Sequence, residues 1–129
     1  MSQSFIELGQ GYSDFFELEE IIAYNHERIH HIVCLHTTLE KQPKTSVLII
    51  MKPSRQGNFQ AIYSIFEAIP YPYPVSNKRF DFIKIWAAEQ SLTIRELEVK
   101  SKEHFYENDL YYNYLIGVLR LQRLLPPMH

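Results

Sequence analysis

The sequence predicts a single α+β domain, and three observations support this fold class. Its 129 residues match the length of one ordinary domain with one hydrophobic core. Three consecutive β-rich segments occupy residues 30–38, 45–52 and 59–69, and helix-like patterns lie before and after them. We therefore expect residues 1–129 to form a mainly antiparallel sheet of about 4–5 strands in the order β-α-β-β-β-α-β-α, with helices packed largely on one face.

The N-terminal part of the chain predicts a short strand followed by a helix. Residues 5–8 form the strand pattern, and the glycines that follow permit a turn. Ser13 is suited to cap the helix, which is expected to end near residues 25–28. Apolar residues recur in this helix at helical spacing: Phe15, Leu18 and Ile22.

The three central segments predict an antiparallel meander. Residues 31–35 are apolar on both alternating faces, which is typical of a central strand covered on both sides or placed at a subunit contact. Cys34 lies inside this run, so we interpret it as a small buried hydrophobe and not as a nucleophile. A lone cysteine cannot form an internal disulfide, which suits a reducing compartment.

Three alternating prolines within residues 70–74 predict a stiff, extended crossover from sheet to helix. The alternative is a docking strip for a partner, from which Tyr71 and Tyr73 project. Either Ser76 or Asn77 is suited to cap the next helix. The apolar face of that helix contains Phe82, Ile83, Trp86 and Ala87.

The C-terminal third predicts an edge strand and the longest helix. Residues 93–100 have one polar face, which favours a position toward the edge of the sheet. Residues 109–125 form the helix, with Asn108 as its cap and Pro126 after it. Its apolar surface is wide for a small sheet to cover, so we expect that it is either deeply packed or paired with a second subunit. The interface candidates are Tyr111, Tyr114, Leu115, Val118 and Leu121.

One short motif suggests zinc chemistry. His26-Glu27-Arg28-Ile29-His30 matches H-E-x-x-H, in which two histidines one helical turn apart bind zinc and the glutamate deprotonates a bound water. His30, however, falls where a strand pattern begins, and Arg28 would place a cation beside the metal. We therefore interpret the match as coincidental and expect no metal or other cofactor.

A metal-dependent hydrolase using His26, Glu27 and His30 remains the alternative. Its third ligand would come from His36, Glu67 or His104. A weaker metal alternative places His30, Cys34 and His36 on one face of a single strand, where the favoured interpretation is hydrogen-bonded imidazoles at the ends of a buried strand.

Charge and motif content argue against several classes of function. A formal net charge of -2 provides no field for holding a phosphate backbone, so nucleic-acid binding is not expected. The longest apolar run, residues 47–51, is far shorter than the roughly 20 residues that span a bilayer, and no signal-peptide pattern opens the chain. Phosphate-loop, dinucleotide, nucleophile-elbow and kinase catalytic-loop motifs are also missing from the sequence. We expect a cytoplasmic protein without a membrane partner.

Aromatic residues make up 14% of the chain, which exceeds what a small core needs and favours an interface or a groove. We therefore expect a non-enzymatic interaction or regulatory module that acts as a homodimer, with an unidentified protein as a further possible partner. The alternative is a small-ligand pocket lined by Tyr12, Tyr63 and Tyr71.

Several segments resemble a small family of uncharacterised proteins from Bacillus-type Firmicutes. They are the opening Phe5-Ile6-Glu7-Leu8-Gly9-Gln10-Gly11-Tyr12-Ser13-Asp14, His30-His31, Leu35-His36-Thr37 and Gly57-Asn58-Phe59-Gln60. The resemblance implies a bacterial cytoplasmic setting and supplies no catalytic residues. Some members carry the label methylthioribose kinase. The sequence argues against that label because it lacks a nucleotide loop, the catalytic-loop carboxylates and the length of such a kinase.

Overall fold

The computed structural model describes residues 2–8, 12–37, 43–53, 59–73 and 76–126. It confirms the predicted order of strands and helices, with one added turn of 3₁₀ helix (Lys102–His104) before the last helix. The elements are β1 (Ser2–Glu7), α1 (Tyr12–Asn25), β2 (Ile29–Thr37), β3 (Lys44–Met51), β4 (Phe59–Pro70), α2 (Lys78–Glu89), β5 (Arg95–Val99) and α3 (Asn108–Leu121).

The described strands form one five-stranded mixed sheet in the order β1-β4-β3-β2-β5. Strands β2, β3 and β4 are antiparallel neighbours, which confirms the predicted meander. Both edge strands are parallel to their neighbours, β1 to β4 and β5 to β2, so the sheet is less antiparallel than expected. The helical crossovers join β1 to β2 and β4 to β5 in the same direction, and the two hairpins of the meander make β4 run in the direction of β2. Both edge strands are therefore parallel to their neighbours.

Helices cover both faces of the sheet, so the expectation that they pack largely on one face is wrong. The crossovers β1-α1-β2 and β4-α2-β5 both run in the same direction across the sheet. Crossovers between parallel strands are right-handed, so two that run in the same direction place their helices on the same face. No further described strand follows α3, which covers the opposite face.

Two separate hydrophobic cores result from this arrangement. The core under α1 and α2 contains Leu18, Ile22 and Ile83, together with Ile32 and Cys34 of β2. The core under α3 contains residues from the other face of β2, together with residues of β3, β4 and α3. Its members include Val33, Leu35, Leu48, Ile50, Ile62, Tyr111, Leu115 and Leu119. Alternating residues of one strand thus serve two cores, and Cys34 is buried as expected.

Several helix and strand ends differ from the predictions. α1 begins at Tyr12, so Ser13 lies in its first turn and is not the cap. Asn77 does cap α2, since its side-chain oxygen accepts the Phe80 N–H at 3.1 Å. Asn108 is the first residue of α3, and Glu107 occupies the cap position. β5 is an edge strand, as predicted.

The proline-rich crossover is not the extended strip that the sequence predicted. β4 continues to Pro70, and the next two residues form a bend that contains a cis Tyr71–Pro72 peptide bond. Pro74 lies outside the described residues. Among the helices that the structure describes, none combines the length and apolarity needed to cross a bilayer.

The core under α3 contains one unsatisfied polar atom. The Tyr111 side chain is fully buried, and its hydroxyl has no hydrogen-bond partner among the described residues. Aromatic rings surround it, including Phe66 at 5.4 Å and Phe105 at 5.5 Å between ring centroids. The neighbouring Tyr114 differs, because its hydroxyl accepts the Lys100 N–H at 3.0 Å.

We predict that Tyr111→Phe leaves the free energy of unfolding unchanged or raises it by about 1 kcal/mol, because a buried hydroxyl without a partner costs desolvation energy. Tyr114→Phe is the matched control and should lower it by about 1 kcal/mol, because it removes a hydrogen bond. Urea unfolding of both variants measures this difference. A loss for Tyr111→Phe as large as that for Tyr114→Phe would contradict the prediction.

Candidate functional site

The described residues bring one cluster of polar side chains together, around His36 near the carboxyl end of β2. Antiparallel pairing places Thr45 of β3 opposite His36, and β5 lies beside β2 on its other side. His36 Nδ1 is 2.7 Å from Thr45 Oγ1, and His36 Nε2 is 3.2 Å from Glu96 Oε1. The imidazole therefore links three strands of the sheet.

Tyr73 completes this cluster from the segment that follows β4. Its hydroxyl donates to Glu96 Oε1 at 2.6 Å and lies 3.3 Å from His36 Nε2. Tyr71 covers the imidazole, with 4.2 Å between the ring centroids, and Tyr73 also packs on Phe80 of α2 at 4.2 Å. The crossover from sheet to helix is thus tied to the end of the sheet by both of its tyrosines.

The electrostatics of the cluster follow from these contacts. The hydrogen bond from Tyr73 holds the pKa of Glu96 below its ordinary value, and His36 adds to this effect. Burial and the bond to the carboxylate raise the pKa of Tyr73, which therefore keeps its proton. Burial raises the pKa of the Cys34 thiol to about 11, so this thiol is a poor nucleophile at neutral pH.

The line of hydroxyl, imidazole and carboxylate resembles the order of groups in a hydrolytic triad. Thr45, which would supply the nucleophile, is fully buried, so no substrate carbonyl can reach its hydroxyl in this arrangement. His36 is also buried, whereas half of the Glu96 side chain is exposed. The geometry suits a buried hydrogen-bond network that fixes β5 and the crossover to the central strands.

The structure does not place His26 and His30 on one helix, which the zinc motif requires. α1 ends at Asn25, so His26 lies in a turn and His30 lies in β2. His26 Nε2 is 3.9 Å from Glu27 Oε1, while the His30 ring stacks on His31 at 4.1 Å between centroids. His36 is six residues further along the strand, about 20 Å away.

Nowhere in the described ranges do three His, Cys, Asp or Glu side chains lie close enough to hold a metal ion. The same holds for the strand-based set: Cys34 and His36 are buried toward one face, whereas the His30 side chain is exposed. The hydrolase alternative therefore lacks the geometry on which its mechanism depends.

The three tyrosines of the alternative ligand pocket do not form one site among the described side chains. Tyr63 packs against the core under α1 and α2, while Tyr71 covers His36. About 23 Å of extended chain separates Tyr63 from the end of β4, where Tyr71 follows. The side chain of Tyr12 lies outside the described part of the chain.

The interface candidates on α3 divide into three groups. Tyr111 and Leu115 are fully buried against the sheet, so neither is available to a second subunit, and this part of the prediction is wrong. Tyr114 and Val118 are half-buried at the flank of the same core. Leu121 is 84% exposed and Leu110, which was not among the candidates, is 49% exposed.

A comparison with known families matches residues 1–125 to a domain of unknown function, DUF7147. The chain belongs to this family. The match confirms the expectation of an uncharacterised family, whereas the Bacillus-type source and the cytoplasmic location stay predictions, as does the argument against the kinase label. No curated protein and no solved structure matches the chain.

The pKa of Glu96 predicts how the network affects stability. Because this pKa is lower in the folded chain than its ordinary value of 4.5, the carboxylate stabilises the fold above that pH. The contribution is lost as the pH falls through the lowered value. We expect Glu96→Gln to reduce the free energy of unfolding near pH 7 by about 0.5 kcal/mol, a small value because the carboxylate is half exposed.

The difference between Glu96→Gln and the unmodified chain should therefore shrink between about pH 5 and pH 3. Urea unfolding over this range measures it. Glu98→Gln, which removes an exposed carboxylate from the same strand, is the matched control and should show no such convergence. A constant difference at every pH would contradict the assignment.

Proposed function

We propose that this chain is a non-enzymatic interaction module that acts as a homodimer, with the outward face of α3 as the dimer surface. One observation carries the proposal: two large leucines, Leu110 and Leu121, are 49% and 84% exposed on the same helix. They are eleven positions apart, about three helical turns, so they lie on one line of the surface. A line of exposed leucines favours burial against a partner.

A glycine lies on the same line and supports the proposal. Gly117 is seven positions after Leu110, which is about two turns. A Cβ added at Gly117 would meet nothing within 4 Å, so the packing of the described chain does not require glycine there. Glycine in an exposed helix costs about 1 kcal/mol relative to alanine, whereas it allows the backbone of another helix to approach closely.

The charges beside this line favour a second copy of the chain as the partner. Asp109 and Arg120 are also eleven positions apart and lie on one flank of α3. When two such helices pair in antiparallel orientation about a two-fold axis, Asp109 of one copy faces Arg120 of the other. Hydrogen bonds from Arg120 to Gln3 Oε1 at 3.1 Å and to the Pro126 carbonyl at 3.2 Å fix the position of the half-buried guanidinium.

The outward line of α3 replaces the interface that the sequence predicted, but it keeps Leu121 as a member. α3 has 14 residues and is about 21 Å long, so paired copies would meet over their whole length. Such an interface is self-complementary, as a two-fold dimer requires.

We predict that Leu110→Lys converts the dimer to a monomer, because in the antiparallel pair it places a charged side chain against the apolar Leu121 and the guanidinium of Arg120 of the other copy. Light scattering in line with size exclusion measures the molar mass. Ile85→Lys is the matched control, because Ile85 is an exposed residue on α2, across the sheet, and the mass should not change. A monomeric unmodified chain at high protein concentration would contradict the proposal, as would a dimer that Leu110→Lys leaves intact.

A further inference from the structure

A groove lies at the C-terminal end of α3, beside the amino-terminal ends of β2 and β4. Its volume is about 640 Å³, within the range of small-molecule sites. Leu121, Leu124 and Leu125 provide an apolar wall, while Arg120, Arg123 and His30 line the same groove. None of the described residues that line it is acidic.

A chain of hydrogen bonds that enters the sheet positions Arg120. Its Nη2 donates to Gln3 Oε1 at 3.1 Å, and Gln3 Nε2 donates to Gln60 Oε1 at 3.3 Å. Gln60 Nε2 in turn donates to the Met51 carbonyl at 2.9 Å. Gln60 is 1% exposed and also lines the groove, so a buried polar side chain fixes the position of a cationic one.

The backbone at Arg123 fixes the start of the second arginine side chain of the groove. Arg123 has a φ of 61°, in the left-handed region, and occupies the position after the α3 cap that glycine usually occupies. The Leu124 N–H donates to the Leu119 carbonyl at 2.8 Å, which completes this type of helix end. Ser91 has the same conformation after α2, with a φ of 57°, so this backbone is a type of helix end that here fixes the point from which the Arg123 side chain projects.

We propose that the groove binds an amphipathic carboxylate, a free acid with an acyl chain of medium length. The carboxylate pairs with the guanidinium of Arg123 beside that of Arg120, because the planar fork of arginine matches a carboxylate through two hydrogen bonds. The acyl chain lies along the wall formed by Leu121, which is 84% exposed, and by the outer edges of the buried Leu124 and Leu125. This site goes beyond the proposed dimer and is complete in a single chain, although Arg120 and Leu121 border both the groove and the proposed dimer surface.

Isothermal titration of the full chain with octanoate, octanol and octylammonium tests the proposal. We expect saturable binding of octanoate, with octanol at least tenfold weaker and no octylammonium binding, because only the carboxylate pairs with the arginines. Equal affinity for octanol, no saturable octanoate binding, or tenfold tighter binding of octyl phosphate would overturn it.

Arg123→Gly is the decisive variant, because glycine suits the left-handed backbone while the cationic side chain is lost. It should bind octanoate at least tenfold more weakly, bind octanol as before, and unfold at no lower temperature than the unmodified chain. Arg79→Gln on α2, across the sheet, is the charge-matched control and should keep full affinity. Unchanged octanoate binding by Arg123→Gly would overturn the site.

The same titration on Leu110→Lys separates the two proposals. Octanoate should bind this variant no more weakly than the unmodified chain, because the monomer keeps the whole groove and loses Asp109 of the second copy, which the proposed dimer places opposite Arg120. A tenfold loss of affinity in this variant would overturn the independence of the site.

Discussion

The two apolar faces of the central strands are the constraint on which the rest of the structure depends. Residues 32–35 of β2 alternate between two cores, and neighbouring residues of β3 do the same. Both faces of a strand like this must be covered to remove them from water. The two crossover helices cover one face, and α3 is the described α-helix that covers the other.

The proposed sites follow from the position of α3. Its buried seam of Tyr111, Leu115 and Leu119 faces the sheet, so the opposite line with Leu110 and Leu121 faces outward. The C-terminus of α3 lies beside the amino-terminal ends of β2 and β4, and the groove forms between them. At the carboxyl end of β2 the His36 network closes the sheet instead, by linking β5 and the crossover to the centre.

The order of strands and helices could be predicted because each is marked by a local pattern of apolar residues. Contacts between distant segments leave no such pattern in the sequence. The network joins His36 to Glu96, which are 60 positions apart, through Tyr73. The two-sided cover was readable in residues 31–35, whose double apolar pattern contradicted helices on one face. The phase of α3 was ambiguous, because two neighbouring stripes are both apolar. The predicted end of α3 at residue 125 was wrong. The helix ends at Leu121, and Arg123 occupies the position where a glycine would have marked that end in the sequence.

The central claim is that the outward faces of two α3 helices pack together along the line that contains Gly117. The most direct test is Gly117→Ala, measured both by unfolding at concentrations where the chain is monomeric and by sedimentation at higher concentrations. The added Cβ meets open space in the single chain, so the free energy of unfolding should rise by about 1 kcal/mol. The dissociation constant of the dimer should increase at the same time, because the added methyl groups push the two helices apart. A dimer as tight as that of the unmodified chain would contradict the claim.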